Sequence, residues 1–213
     1  MSDMSFVPLS ELEQDALAEL SNIAMARAAS SLRKMVEHEV MLSVPSVEIL
    51  TRQDALKAIS KTDAAKVVAV RQDFSGILTG RALLIFPEAS SLELVRVVVG
   101  KELSLGDIVD LEDEALAETG NIILNSWIST IANMLKQGLN MSLPVVMRGS
   151  HEHLFEAPSV QDNLVLFLQI KFEISKIAIE GYVALLMDIP TLDEFRSLIA
   201  DFIKRATRTD NPE

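Results

Sequence analysis

The chain has 213 residues, with 19 Lys and Arg against 31 Asp and Glu, a formal charge of −12 and no cysteine. The acidic balance argues against a nucleic-acid binder, which needs a cationic face to displace counterions, and against docking on anionic lipid. Without cysteine there is no disulfide framework, no thiolate nucleophile and no Cys-ligated metal. An apolar share of 49% is that of an ordinary folded domain. The opening MSDMSFVPLSELEQD is acidic where a secretion signal is basic and apolar, and the longest apolar runs, such as Ala82 to Phe86, are far too short to span a membrane. A soluble, cytoplasmic protein is expected.

In chain order, the first feature is a capping box at Ser10-Glu11-Leu12-Glu13, in which Ser accepts a backbone N–H and Glu13 reaches back. After it Leu12, Ala16, Leu20 and Ile23 mark one face of a helix that runs through the Ala-rich Ala24 to Leu32 to about Glu39. Pro45 is expected at a strand start or sheet edge, because proline donates no ladder hydrogen bond. Val67 to Val70 and Gly80 to Phe86 read as strands, and Ala89 to Val99 as a helix. The polar Lys101 to Asp110 is a candidate joint. A second long helix follows, capped by Asp110 or Asp113, with Leu116, Ile123 and Trp127 among its apolar positions. Trp127 is expected to anchor the core or a subunit contact. Pro144 again opens a strand, Leu164 to Ile170 and Gly181 to Met187 are strands, Thr191 to Ile203 is helical, and Arg205 to Glu213 reads as a frayed tail.

The second half repeats the first. Sliding the sequence by 99 positions lays DALAELSNIAMARAASSLRKMVEHEVMLSVPSV, from Asp15, on EALAETGNIILNSWISTIANMLKQGLNMSLPVV, from Glu114, without a gap. Each half then reads helix, strand, variable segment, two strands, helix. Strands arriving in runs between helices predict an α/β fold of the α+β kind, with two long helices packed on a mainly antiparallel sheet. One domain is expected, built of two repeats at about 9–100 and 108–204 and related by a pseudo-twofold axis.

Asp15, Glu19 and Asn22 are spaced i, i+4, i+7 and so line one side of the first helix; Glu114, Glu118 and Asn121 repeat that column in the second. Each Asn is followed 23 positions later by a proline, Pro45 or Pro144. Asn is a mediocre helix-interior residue, so its retention in a diverged repeat needs a reason. Gly120, unfavourable in mid-helix by about 1 kcal/mol, is tolerable if something must approach closely. This doubled Asp/Ser-x-x-x-Glu-x-x-Asn type of column, with Glu114 departing at the first position of the second copy, together with its distant proline and the ETGNII stretch, resembles the CheC-type chemotaxis phosphatases, a family that also includes CheX and FliY. The resemblance covers nearly the whole chain. With two motifs and no flagellar switch module expected, CheC is the nearest type.

That resemblance implies a hydrolase acting on the aspartyl phosphate of a CheY-like response regulator in two-component signalling. The partner would supply its own magnesium, lysine and acceptor aspartate, and this chain no cofactor or metal of its own. Asn22 and Asn121 would position the attacking water, the carbonyl accepting from it and the NH₂ donating. Glu19 and Glu118 would contact the regulator's active-site lysine, with Asp15, Pro45, Glu114 and Pro144 in support. Ser21 stands where Gly often precedes the Asn, a change expected to tune how close a partner comes. The alternative is a non-catalytic adaptor of the same fold that binds a regulator or a CheD-like deamidase. The oligomeric state is left open. Rival chemistry is weaker: His151 and His153 would share a face on a strand but lack a third ligand, no Lys-Ser/Thr follows Gly76 and Gly80 to make a P-loop, and no Gly-x-Ser-x-Gly elbow occurs.

Overall fold

The capping box forms as its residue types dictate: the Ser10 N–H donates to Glu13 Oε2 at 2.8 Å, and the Glu13 N–H donates to Ser10 Oγ at 3.3 Å. It opens α1 (Glu11–Val36) in a computed structural model that describes residues 9–36, 38–60, 66–99, 105–155, 164–174, 177–187 and 189–209. The remaining elements are β1 (Val40–Thr51), α2 (Arg52–Ser60), β2 (Val67–Gly76), β3 (Gly80–Pro87), α3 (Glu88–Val99), α4 (Leu105–Leu135), β4 (Leu139–Met141), β5 (Val145–Gly149), α5 (His151–Leu154), β6 (Leu164–Ile174), β7 (Ile177–Met187) and α6 (Ile189–Thr209).

Three expectations need correction. Asp110 and Asp113 lie inside α4 and not at its start, because helical apolar spacing in the sequence runs back through Leu105, Ile108 and Val109; only residues 101–104 of the candidate joint fall outside the described residues. The tail expected to fray from Arg205 is helical as far as Thr209, because α6 meets no proline or glycine between Thr191 and Thr209, and residues 210–213 lie outside the described residues. Its Pro190 sits in the first turn, where a missing N–H is harmless. Pro45 does not open a strand but stands on the sheet edge: it lies within β1, the terminal strand, where the register breaks between Ser43 and Ser46. Pro144 does stand immediately before β5.

The described strands form a seven-stranded sheet in the order β1-β6-β7-β3-β2-β4, with β5 also on β2 and every pairing antiparallel. The order reads as a palindrome of the two sequence copies. β3 and β7 meet at the centre, and the outer strand of each copy pairs with an inner strand of the other: β1 with β6, β4 and β5 with β2. One sheet face is covered by α1, α3, α4 and α6 through a core that includes Leu17, Met25, Val70, Trp127 and Phe195. The other is covered by α2 and α5 through Ile59, Leu83, Phe155 and Val165. The fold is α+β, as the run of strands between helices implied.

The two long helices lock together inside the first core. Trp127 is 2% exposed and its Nε1–H donates to Ser21 Oγ at 3.0 Å; Arg27 donates to Thr130 Oγ1 at 3.1 Å. Trp127 is therefore a core anchor. Gly120 is needed for packing: a Cβ there would meet the Val70 side chain at 2.5 Å. The close approach expected at Gly120 is thus that of β2, while the expectation that Ser21 tunes how close a partner comes is corrected, since Ser21 is buried against Trp127.

Candidate functional site

Asp15 and Glu19 on α1, and Glu114 and Glu118 on α4, are exposed, while Asn22 and Asn121 are half-buried at the inner end of each column. Helical spacing thus assembles both predicted constellations on solvent-facing surfaces. Their amides, however, are held differently.

In the first copy, proline breaks the edge ladder and leaves Val44 unpaired between Ser43 and Ser46. Asn22 repairs the break. The Val44 N–H donates to Asn22 Oδ1 at 2.9 Å, and Asn22 Nδ2 donates to Ala18 O at 2.9 Å and to Val44 O at 3.4 Å. Val44 is 3% exposed, so without Asn22 its N–H would be a buried orphan. Part of the reason for an Asn 23 positions before a proline is therefore structural. The carboxamide carries the backbone through the kink.

In the second copy that task passes to Gln72, a residue the sequence reading missed. Gln72 lies on β2, 1% exposed, and its Nε2 donates to Ser142 O at 2.8 Å and to Asn121 Oδ1 at 3.1 Å. Ser142 is further tied by its N–H to Asp73 O at 2.8 Å and by its hydroxyl, which accepts from the Asp73 N–H at 2.9 Å. A second missed residue, Asn125, donates from Nδ2 to Asn121 Oδ1. Both were findable. Gln72 is a polar residue at the inward period-2 position between Val70 and Phe74, and Asn125 extends the Asn121 column by one turn.

Backbone geometry fixes the orientation of this chain of amides. Ser142 O can only accept, so Gln72 presents Nε2; Asn121 must then present Oδ1 to it, and Asn125 presents Nδ2 to Asn121. Both lone pairs of Asn121 Oδ1 are thereby engaged, and its NH₂ makes no hydrogen bond to the described residues. The carbonyl that was expected to accept from water is occupied in both copies; the free group is the Asn121 amide nitrogen.

Asn121, Asn125, Ser126, Ser129 and Asn140 form part of the wall of an open groove of about 530 Å³. The matching groove of about 760 Å³ beside α1 has Ala26, Ala29 and Ser30 at the equivalent helix positions, with Met41, Lys171 and Glu173 opposite, and Asn22 is not part of its wall. The segments after the two columns also differ. Leu143 is 85% exposed and Val145 53%, whereas Val44 is sealed.

Charge near the second copy sits on the opposite sheet face. Asp73 accepts from Arg71 at 2.7 Å and from Arg81 at 3.3 Å, and these hydrogen bonds, Arg71's foremost, hold its carboxyl below the usual range despite partial burial. Burial acts to raise the Glu13 carboxyl, but hydrogen bonds from Ser10 and from Arg196 on α6 bring it net below its usual value.

His151 and His153 lie on the short helix α5 and not on a strand, which puts them on different faces; His151 is buried and His153 exposed. Among the described residues no group of three His, Cys, Asp or Glu could hold a metal ion. No described helix is long and apolar enough to cross a membrane.

No protein-family profile matches the chain. It is 25% identical over 144 residues to the CheY-P phosphatase CheC of Bacillus subtilis, a match covering 66% of this chain and 68% of that protein. It is 24% identical over 143 residues to the flagellar motor switch phosphatase FliY of the same organism, of which the match spans 36%. Among solved structures, Thermotoga maritima FliY superposes with a TM-score of 0.73 at 18% identity, over 91% of this chain and 98% of that one. The chain is thus similar in sequence to CheC and FliY phosphatases, and it shares the fold of the FliY structure.

Proposed function

We propose that this chain is a phosphatase that hydrolyses the aspartyl phosphate of a CheY-like response regulator in chemotaxis or a related two-component pathway, working in the cytoplasm. The observation that carries the reading is the second column. Glu118 stands exposed one turn before Asn121, whose amide nitrogen is held in a fixed orientation at an open groove. The relatives support it, since CheC is named as a CheY-P phosphatase and FliY as a phosphatase.

An acyl phosphate is already activated, and the regulator brings its own magnesium, lysine and aspartate, so the reaction chiefly needs an in-line water. The Asn121 NH₂ supplies a fixed donor that holds the oxygen of that water. Asn22 would hold a water at the first site only by giving up its long 3.4 Å bond to Val44 O, so that site is the weaker one. Glu19 and Glu118 dock the regulator through its active-site lysine, with Asp15 and Glu114 at the rim. Pro45 and Pro144 shape the strand segment under each Asn. A CheD-like deamidase is a further partner on this reading.

The test is loss of label from a radiolabelled phospho-CheY-type receiver with magnesium present, for wild type and the Asn22→Ala, Asn121→Ala double variant. Wild type should accelerate the loss, and the double variant should leave only the receiver's own decay while still binding it. Acceleration by the double variant would overturn the mechanism. Binding without acceleration by wild type would make the chain an adaptor.

A further inference from the structure

We propose that Asn125 is a catalytic residue of the second site: its side-chain oxygen accepts a hydrogen bond from the attacking water that the Asn121 NH₂ holds. The inference rests on the phosphatase reading and deepens it. A water in line for attack is fixed best by one donor to its oxygen and one acceptor for a proton. A single carboxamide could offer both, but Asn121 cannot, since Gln72 and Asn125 fill its oxygen.

The same orientation argument that turns the Asn121 nitrogen outward also settles Asn125. Its Nδ2 is given to Asn121, so its Oδ1 points away from Asn121, makes no hydrogen bond to the described residues and is not sealed from solvent. Asn125 lies one helical turn beyond Asn121 on the same face, and both line the same groove. One amide supplies the donor and the other the acceptor. The sequence copy at α1 has Ala26 at this place, so the pair exists only at the second site.

In the step itself the water oxygen forms the new P–O bond as the acyl P–O bond breaks, and the bonding electron pair leaves with the regulator's aspartate carboxylate. Both water protons end on the released phosphate, which equilibrates with solvent. Asn125 takes no proton, being neutral throughout.

The experiment removes the first site with Asn22→Ala and measures steady-state hydrolysis of the labelled phospho-receiver, together with affinity for the beryllofluoride-bound receiver. Adding Asn125→Ala or the similarly shaped Asn125→Leu should lower kcat roughly tenfold or more, with KM and beryllofluoride-receiver affinity unchanged. Two substitutions guard against a folding defect in one, and retained affinity reports an intact surface. A kcat within twofold of the Asn22→Ala parent, or a rise in KM alone, overturns the role of Asn125 while leaving the phosphatase reading intact. Loss of all turnover in Asn22→Ala itself also overturns it, by removing hydrolysis from the second site. A wild-type rate no faster than the receiver's own decay overturns the phosphatase reading instead.

Discussion

The two copies of the helix–strand unit keep the same Glu and Asn but spend the Asn differently. At α1 the carboxamide serves the backbone, bridging Val44 where Pro45 interrupts β1. At α4 the backbone is served by Gln72, and Asn121 is released toward a polar groove. A duplicated motif therefore need not mean duplicated capacity. The strand beneath each Asn decides how much of it is left for chemistry.

The largest effect that would sharpen this contrast is in turnover. Asn121→Ala should lower hydrolysis of the phospho-receiver by roughly tenfold or more, and Asn22→Ala by only a few-fold; equal losses, or the reverse order, would break the comparison. Next comes packing. Gly120→Val should destabilise by about 1–3 kcal/mol, because β2 lies directly under the helix, and Ser21→Gly strands the buried Trp127 N–H and should cost about as much beyond the intrinsic helix penalty. Urea midpoints compare the two.

Stability should then rank the Asn variants in the opposite order to turnover. Asn22→Ala strands the buried Val44 N–H, a loss of about 1–3 kcal/mol, while Asn121→Ala leaves Gln72 still bonded to Ser142 and should lose less than about 1 kcal/mol. Exposed Leu143 offers a smaller test. If the exposed segment after the second column meets the receiver, Leu143→Ser should leave the melting temperature unchanged and weaken receiver affinity by about fivefold, or about 1 kcal/mol; an unchanged titration would exclude this segment from docking.

The smallest effect is acid-dependent. Asp73 has its carboxyl lowered in the folded state by Arg71 and then Arg81, so its contribution is present above the unfolded Asp value near 4 and is lost as pH falls through the lower folded value. Solvent screening of this half-exposed group keeps the contribution below about 1 kcal/mol, and Asp73→Asn should flatten that part of the acid-unfolding curve.

Much of this was legible in the residues. The capping box, the apolar spacing after it and the strand runs set the elements, and helical periodicity alone placed Asp15, Glu19 and Asn22 on one face. Helix ends were misread where acidic residues inside α4 imitated a cap. The Pro45 kink was misread as a strand start, because a bulge and a terminus both suppress a ladder bond and look alike in sequence. The deeper miss was chemical. Carboxamide orientation depends on which backbone carbonyl lies within reach, and Gln72 on β2 meets Ser142, just past β4, and Asn121 on α4. No local pattern encodes that meeting, although a lone polar residue among inward valines hints at it.

The exchange of outer strands between the copies has a consequence for anyone who would cut the chain in two. Residues from Leu105 onward, expressed alone, would hold the Glu118–Asn121 column but not the glutamine that aims it, and their outermost strands would have lost the rail on which they lie. Neither fragment is a smaller working version of the whole: the first half carries the glutamine that aims Asn121, and the second carries β6, on which β1 lies.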